Sequence, residues 1–275
     1  MARFPIESRR METLADVAPE VDGFVLDAFG VLNVGDRAIP GAVDRISAFR
    51  DSGKSLVVLT NAASYTRDAA VAKFQRLGFD FTKDEIVSSR DVAVAQLSGI
   101  APGARWSAIC ASDDTFDDIA EAVVDGTDDP NWDEVEAVLF LSTSRWTRER
   151  HETLVASLTR KPRPLVVANP DLVAPREGGL TIEPGFWAHD ILSRTEVEPH
   201  FFGKPYSEAF DVARGRAASR RLAMVGDTLH TDILGGRAAG MQTVLVEGHG
   251  LYAGRNVKAY VESCGIVPDY IIGTT

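Results

Sequence analysis

Short apolar runs alternate with amphipathic stretches along the first ninety residues. "GFVLDAF" (23–29) and "SLVVLTN" (55–61) are continuously apolar up to a polar end, the pattern of strands buried on both faces. Between them, residues 41–52 place Val43, Ile46 and Phe49 on one helical face, with Gly53 as the stop. Residues 66–77 repeat the pattern with Ala70, Val71, Phe74 and Leu77, ended by Gly78. This β-α-β-α order predicts a parallel sheet covered by helices. Strands are predicted over 136–143 and 163–171, with a helix around 149–158 between them and a turn and short strand over 177–185. "PHFFGKP" (199–205) then reads as a strand entering a helix that Pro205 opens, and "RLAMVGDTLHTD" (221–232), "MQTVLVEGHG" (241–250) and "PDYIIG" (268–273) as further strands. The predicted fold is therefore α/β, with a core domain from residues 1–87 and 191–275 and a second α/β domain, 88–190, inserted into it.

Composition narrows the classes. The 275 residues are 45% hydrophobic and 25% charged, with a formal charge of −11. An acidic surface argues against nucleic acid or an anionic membrane as partner. The two cysteines, Cys110 and Cys264, are too few for a disulfide framework or a thiolate metal site. "MARFPIESRRMETLADVAPE" lacks the apolar run of a signal peptide, and no stretch approaches the ~20 apolar residues of a spanning helix. The expectation is a soluble, cytoplasmic protein. Residues 112–136 hold eleven acidic side chains and no Lys or Arg, and are predicted to be an exposed face with a solvated loop at "DGTDDPNWDE".

The candidate chemistry sits at strand ends. Asp27, Thr60, Lys204 and the pair Asp227/Asp232 each close a predicted strand, and such ends gather at one crevice of an open parallel sheet. Singly, each has a plainer explanation as a turn residue, helix cap or surface lysine. Their shared position is what makes a site. Carboxylates around a few waters suit Mg²⁺, while an ammonium and a hydroxyl suit phosphate oxygens. An Asp so placed can attack phosphorus and form an aspartyl-phosphate. His151, His189, His200 and His249 are scattered, so a histidine metal site has little support. The four tryptophans all fall in the inserted region, where packing between the two domains explains them better than a substrate wall does. No dinucleotide or P-loop glycine pattern is present.

"LDAFGVLNVGDRAIPGA", "LVVLTNAAS", "FGKP" and "MVGDTLHTDILGGRAAGM" resemble, in order, the four motifs of the haloacid dehalogenase (HAD) superfamily, and "VVANPD" is similar to a segment of its class IIA, the NagD-like sugar phosphatases and p-nitrophenylphosphatases. The resemblance spans about residues 23–272. It implies a Rossmann-like core with an α/β cap of the second type, and a Mg²⁺-dependent phosphohydrolase of small phosphorylated metabolites: sugar phosphates, nucleotides, or aryl and acyl phosphates. By that resemblance Asp27 is the nucleophile and a metal ligand, with the Phe29 carbonyl and Asp227 as further ligands. Thr60 and Asn61 hold the phosphoryl group, Lys204 neutralises nucleophile and phosphate, and Asp232 anchors Lys204 or a metal-bound water. Asn169 and Asp171 face substrate, with Gly185 near it. Many class members associate through the cap, so a homodimer is compatible with the resemblance.

One position departs. Two residues after the nucleophile, typical phosphatases of the superfamily carry an Asp that protonates the leaving alkoxide and then deprotonates the attacking water. This chain has Phe29. Three readings stay open: another group supplies the proton, with His230 the nearest by sequence; the substrates have leaving groups that need none; or the site binds phosphate and Mg²⁺ as a sensor or scaffold without turnover.

Overall fold

A computed structural model of the chain describes residues 3–128, 132–176 and 179–275. The parts of the expected loop and turn at 129–131 and 177–178 lie outside the described residues. The chain divides into two compact units: residues 1–60, 67–87 and 204–275 form the first, and residues 61–66 and 88–203 the second. The sequence placed the return to the core at residue 191; the contacts place it at 204.

Strands β1 (Arg9–Thr13), β2 (Gly23–Leu26), the small hairpin β3 (Asn33–Val34) and β4 (Arg37–Ala38), β5 (Ser55–Thr60) and β6 (Ile86–Ser88) come first. The inserted region supplies β7 (Arg105–Ile109), β8 (Ala122–Asp125), β9 (Ala137–Phe140), β10 (Leu165–Val167), β11 (Val173–Arg176), β12 (Gly179–Ile182) and β13 (His200–Phe201). The chain then adds β14 (Leu222–Gly226), β15 (Gln242–Val246) and β16 (Tyr270–Thr274).

Seven strands make the first sheet, in the order β1-β16-β15-β14-β2-β5-β6. Its ladders from β1 through β5 are parallel. The continuous apolar runs have the burial that predicted them: every residue of β2 and β14 is buried. Helix Ala42–Asp51 buries Ala42, Ile46 and Phe49, and helix Arg67–Arg76 buries Ala70 and Phe74, so the helical faces read from spacing are the covering faces. β1 was not anticipated. Its sequence, RRMET, has no apolar alternation, and it pairs with β16 at the sheet edge, where Arg10 bonds Glu247 and Arg9 lies over the Tyr270 ring.

The second unit holds a five-stranded parallel sheet, β13-β10-β9-β7-β8, and the hairpin β11-β12. Three expectations are corrected here. "PHFFGKP" does not return to the core sheet: His200 and Phe201 pair with β10. Pro205 does not open a helix; the helix starts at Ser207, with Tyr206 as its cap. The short strand expected up to residue 185 ends at Ile182, and "PGFWAHDILSR" is the helix Pro184–Arg194, with Pro184 at its first turn. Trp132, Trp146 and Trp187 belong to one buried cluster with Phe140, Leu154, Leu158 and Ile191, so these aromatics pack the interior of their own unit.

The acidic region is also more structured than a solvated face. Ala122–Asp125 forms β8. Asp114 and Asp118 pair with Arg90, whose side chain is 0% exposed. Asp125 and Asp128 pair with Arg145. The run holds no cation itself, so its partners, distant in sequence, left no local signal. No helix among the described residues is long and apolar enough to cross a membrane.

Candidate active site

β2, β5 and β14 are neighbours in one parallel sheet, so their C-terminal ends lie side by side. Asp27 follows β2, Thr60 ends β5, and Asp227 follows β14. The parallel ladders thus juxtapose groups far apart in sequence. Asp27, Asp227 and Asp232 present carboxylate oxygens that all lie within 4.8 Å of one another, each side chain buried.

Lys204 enters this cluster, although the strand that precedes it belongs to the other sheet. Its Nζ lies 2.6 Å from Asp27 Oδ1 and 2.6 Å from Asp232 Oδ1. Burial opposes the ammonium's charge, but Asp232 and Asp27 more than offset that, and the Lys204 pKa is raised. Its proton is held firmly. Asp27 Oδ1 also accepts the Ala28 amide at 2.7 Å.

Asp227 is fixed by two donors: the Leu251 amide at 2.8 Å to Oδ2 and the Thr228 hydroxyl at 2.9 Å to Oδ1. Gly250, at φ +69°, brings that amide in; a Cβ there would collide with the Asp227 carboxylate. Asp232 reaches back from a wide turn, Leu229–Ile233, to accept the Thr228 amide at 3.1 Å, and it lies against Gly226 where no side chain would fit. Such turns, closed here by the Ile233 amide on the Thr228 carbonyl five residues back, recur at functional sites.

Burial first, then the neighbouring Asp27 carboxylate, push the Asp227 pKa up to about 7. Burial also raises Asp232 well above the ordinary carboxylate range despite Lys204. Three carboxylates around one ammonium thus form a site short of positive charge. Hard oxygen donors crowded in this way fit Mg²⁺, and Asp27 and Asp227 with the Phe29 carbonyl have the donor chemistry to hold it.

The loop after Asp27 is Ala28-Phe29-Gly30-Val31-Leu32, with no ionisable side chain. It is pinned by Leu32 and Asn33 amides on the Ala28 carbonyl, by the Gly30 amide on the Asn33 carbonyl, and by the Thr275 hydroxyl on the Val31 carbonyl. Phe29 is half-buried there. His230 is exposed on its turn, and His249 bonds the Thr274 hydroxyl at 3.1 Å.

The other expected substrate residues lie in the second unit. Asn61 donates to Asp171 Oδ1 at 2.8 Å, the Asp171 amide donates to Asn169 Oδ1 at 3.0 Å, and Asn169 donates to Glu183 Oε2 at 3.2 Å. Gly185 packs on the Pro170 and Asp171 carbonyls and gives its amide to the latter at 3.1 Å. The sequence reading missed Glu183, Thr228 and the Leu251 amide. Only the "GHG" after β15 hinted at the last, since two glycines beside a strand end allow close backbone approach.

The family profile described as haloacid dehalogenase-like hydrolase matches residues 24–123, and a HAD-hydrolase-like profile matches 201–272. The D-glycerol 3-phosphate phosphatase of Mycobacterium tuberculosis is 31% identical over 248 residues, covering 85% of this chain and 65% of that protein, so the chain spans just under two thirds of that relative's length. The glycerol-3-phosphate phosphatase of Gallus gallus is 30% identical over 287 residues, covering 95% of this chain and 92% of the relative. A solved glycerol phosphate phosphatase of Mycobacterium tuberculosis in complex with magnesium superposes with a TM-score of 0.71 at 28% identity, covering 93% of this chain and 75% of that one. The magnesium of that structure is in keeping with the donor set found here. The chain belongs to the haloacid dehalogenase-like hydrolases, among the phosphatases of their class IIA.

Proposed function

We propose that this chain is a Mg²⁺-dependent phosphohydrolase of small phosphomonoesters that works through a phosphoaspartate on Asp27. The observation that carries this reading is the buried group of three carboxylates, two of them bridged by Lys204, at the end of a parallel sheet. Bound Mg²⁺ supplies the positive charge that lets a phosphate dianion approach three carboxylates. Lys204 orients Asp27 and neutralises charge on the phosphate. Asp232 holds Lys204 in place, and Thr60 donates to a phosphoryl oxygen. Asn61, Asn169 and Asp171 are the substrate-binding residues of this reading. Small phosphate esters are the substrate class for which the glycerol phosphate phosphatase relatives are named.

The test is phosphate release with Mg²⁺ from p-nitrophenyl phosphate, acetyl phosphate, sugar phosphates and nucleotides. Asp27→Asn is expected to reduce turnover to background. Equal rates in wild type and variant would remove Asp27 as nucleophile. No turnover on any substrate, with Mg²⁺ and phosphate still bound, would leave a phosphate-binding sensor or scaffold as the function.

A further inference from the structure

The proton inventory of the core site is unusual. Breaking a phosphate ester expels an oxygen that, for an alkyl alcohol, must be protonated as it leaves, and the second half-reaction must take a proton from water. Each ionisable group in the cluster already has a partner. Lys204 Nζ is shared by Asp27 and Asp232, at 2.6 Å from each. Asp232 accepts the Thr228 amide, and Asp227 the Leu251 amide and the Thr228 hydroxyl. The loop that follows the nucleophile offers only Ala28, Phe29, Gly30, Val31 and Leu32, and its backbone hydrogen bonds hold it where it is. His230 is exposed, and His249 is engaged by Thr274.

Resting on the reading of Asp27 as nucleophile, we infer that the site selects phosphates whose leaving group departs as a stable anion, aryl and acyl phosphates, and that the aspartyl-phosphate formed from them accumulates. In the first half-reaction a carboxylate oxygen of Asp27 bonds phosphorus while the bond to the leaving oxygen breaks. The electron pair goes with a phenolate or carboxylate, which requires no proton. In the second, water bonds phosphorus, the bond to Asp27 breaks, the carboxylate is restored, and the surplus proton passes to solvent without a side-chain base. The first step is then fast and the second slow. For an alkyl phosphate the order reverses: expulsion of an alkoxide is the barrier, and no phosphoenzyme builds up. Phe29 thus sets both the leaving-group range and the slow step.

Pre-steady-state kinetics of the full chain with Mg²⁺ test this. With p-nitrophenyl phosphate the expected result is a burst of p-nitrophenolate of up to one equivalent per chain, followed by slower turnover. Acetyl phosphate should share that steady-state rate, since both pass through the same slow hydrolysis. Glycerol 3-phosphate should turn over more slowly by about 10²–10⁴, without a burst. Phe29→Asp should lose the burst and gain alkyl phosphate turnover by a comparable factor. Glycerol 3-phosphate hydrolysed as fast as p-nitrophenyl phosphate, with no burst from either, would overturn the inference while leaving Asp27 as nucleophile. Should Phe29→Asp fail to fold, the leaving-group dependence of the wild type decides alone. Loss of the Asp27→Asn effect would instead overturn the phosphatase reading beneath it.

Discussion

Each unit of the molecule buries a cation among carboxylates, and the two clusters differ in how fully that cation satisfies them. In the second unit, Arg90 gives Nε to Asp118, one terminal nitrogen to Asp114 and the Ala63 carbonyl, and the other to Asp118 and the Thr115 carbonyl. Five N–H groups meet five acceptors, so the guanidinium is used up in holding the 114–118 segment and the turn at Ala63 to its helix. In the core unit, Lys204 has an ammonium to share among three buried carboxylates, and Asp227 is pushed up to about 7. The first cluster is complete as a structural clamp. The second is short of positive charge, a deficit that a divalent cation makes good. A buried ion pair alone says little about function; the balance of donors and charge around it says more.

The sharpest way to break this contrast is to remove the cation of the clamp. Arg90→Met leaves Asp114 buried with no counter-charge, and the expected cost is about 3–5 kcal/mol, read by urea unfolding. Mg²⁺ should not restore it. A loss below about 1 kcal/mol would mean that the clamp holds nothing.

Mg²⁺ itself should act on the core cluster. At a hundred times its dissociation constant it is expected to add about 2.7 kcal/mol, seen as a rise in Tm, and Asp227→Asn should largely abolish that rise. An equal rise in the variant would take Asp227 out of the metal site.

The smallest effect belongs to His151, which sharpens the picture of the second unit as a neutralised interior. His151 is buried between Trp146 and Trp187, with Nε2 2.7 Å from Asp190 and with Glu152 and Arg194 beside that carboxylate. Burial lowers its pKa from 6.5, outweighing Asp190. The unfolded chain therefore takes up the proton first, so this contribution is full above pH 6.5 and is lost as pH falls below it toward the folded pKa. The limiting slope is about 1.4 kcal/mol per pH unit. Unfolding measured against pH, wild type against His151→Gln, checks it; identical slopes would refute it.

Legibility in the sequence followed burial. The strands before Asp27, Thr60 and Asp227 are apolar on both faces, so their runs were visible and fixed three of the site's corners. Lys204 was found by its motif, but through a false route: the strand before it belongs to the other sheet, and two residues of ladder leave too short a pattern to tell which. Helix Pro184–Arg194 was masked by its opening Pro-Gly, which reads equally as a turn. The acidic run looked solvated because Arg90 and Arg145, which neutralise part of it, lie outside it in sequence. Apart from Lys204 on Asp232, the donors on Asp227 and Asp232 are two backbone amides and one hydroxyl, which carry little distinguishing sequence signal.

β1 has a consequence for how the molecule behaves in company. An unpaired strand edge is a template on which another chain can add. β1 covers one edge of β16 and becomes the outermost strand of the seven, with Arg9, Arg10 and Glu12 exposed along it. At the opposite border β6 has only three residues and runs directly into the helix Ser89–Val94. Charge guards one margin and brevity the other, so a sheet whose interior strands are almost wholly apolar offers little purchase for aggregation.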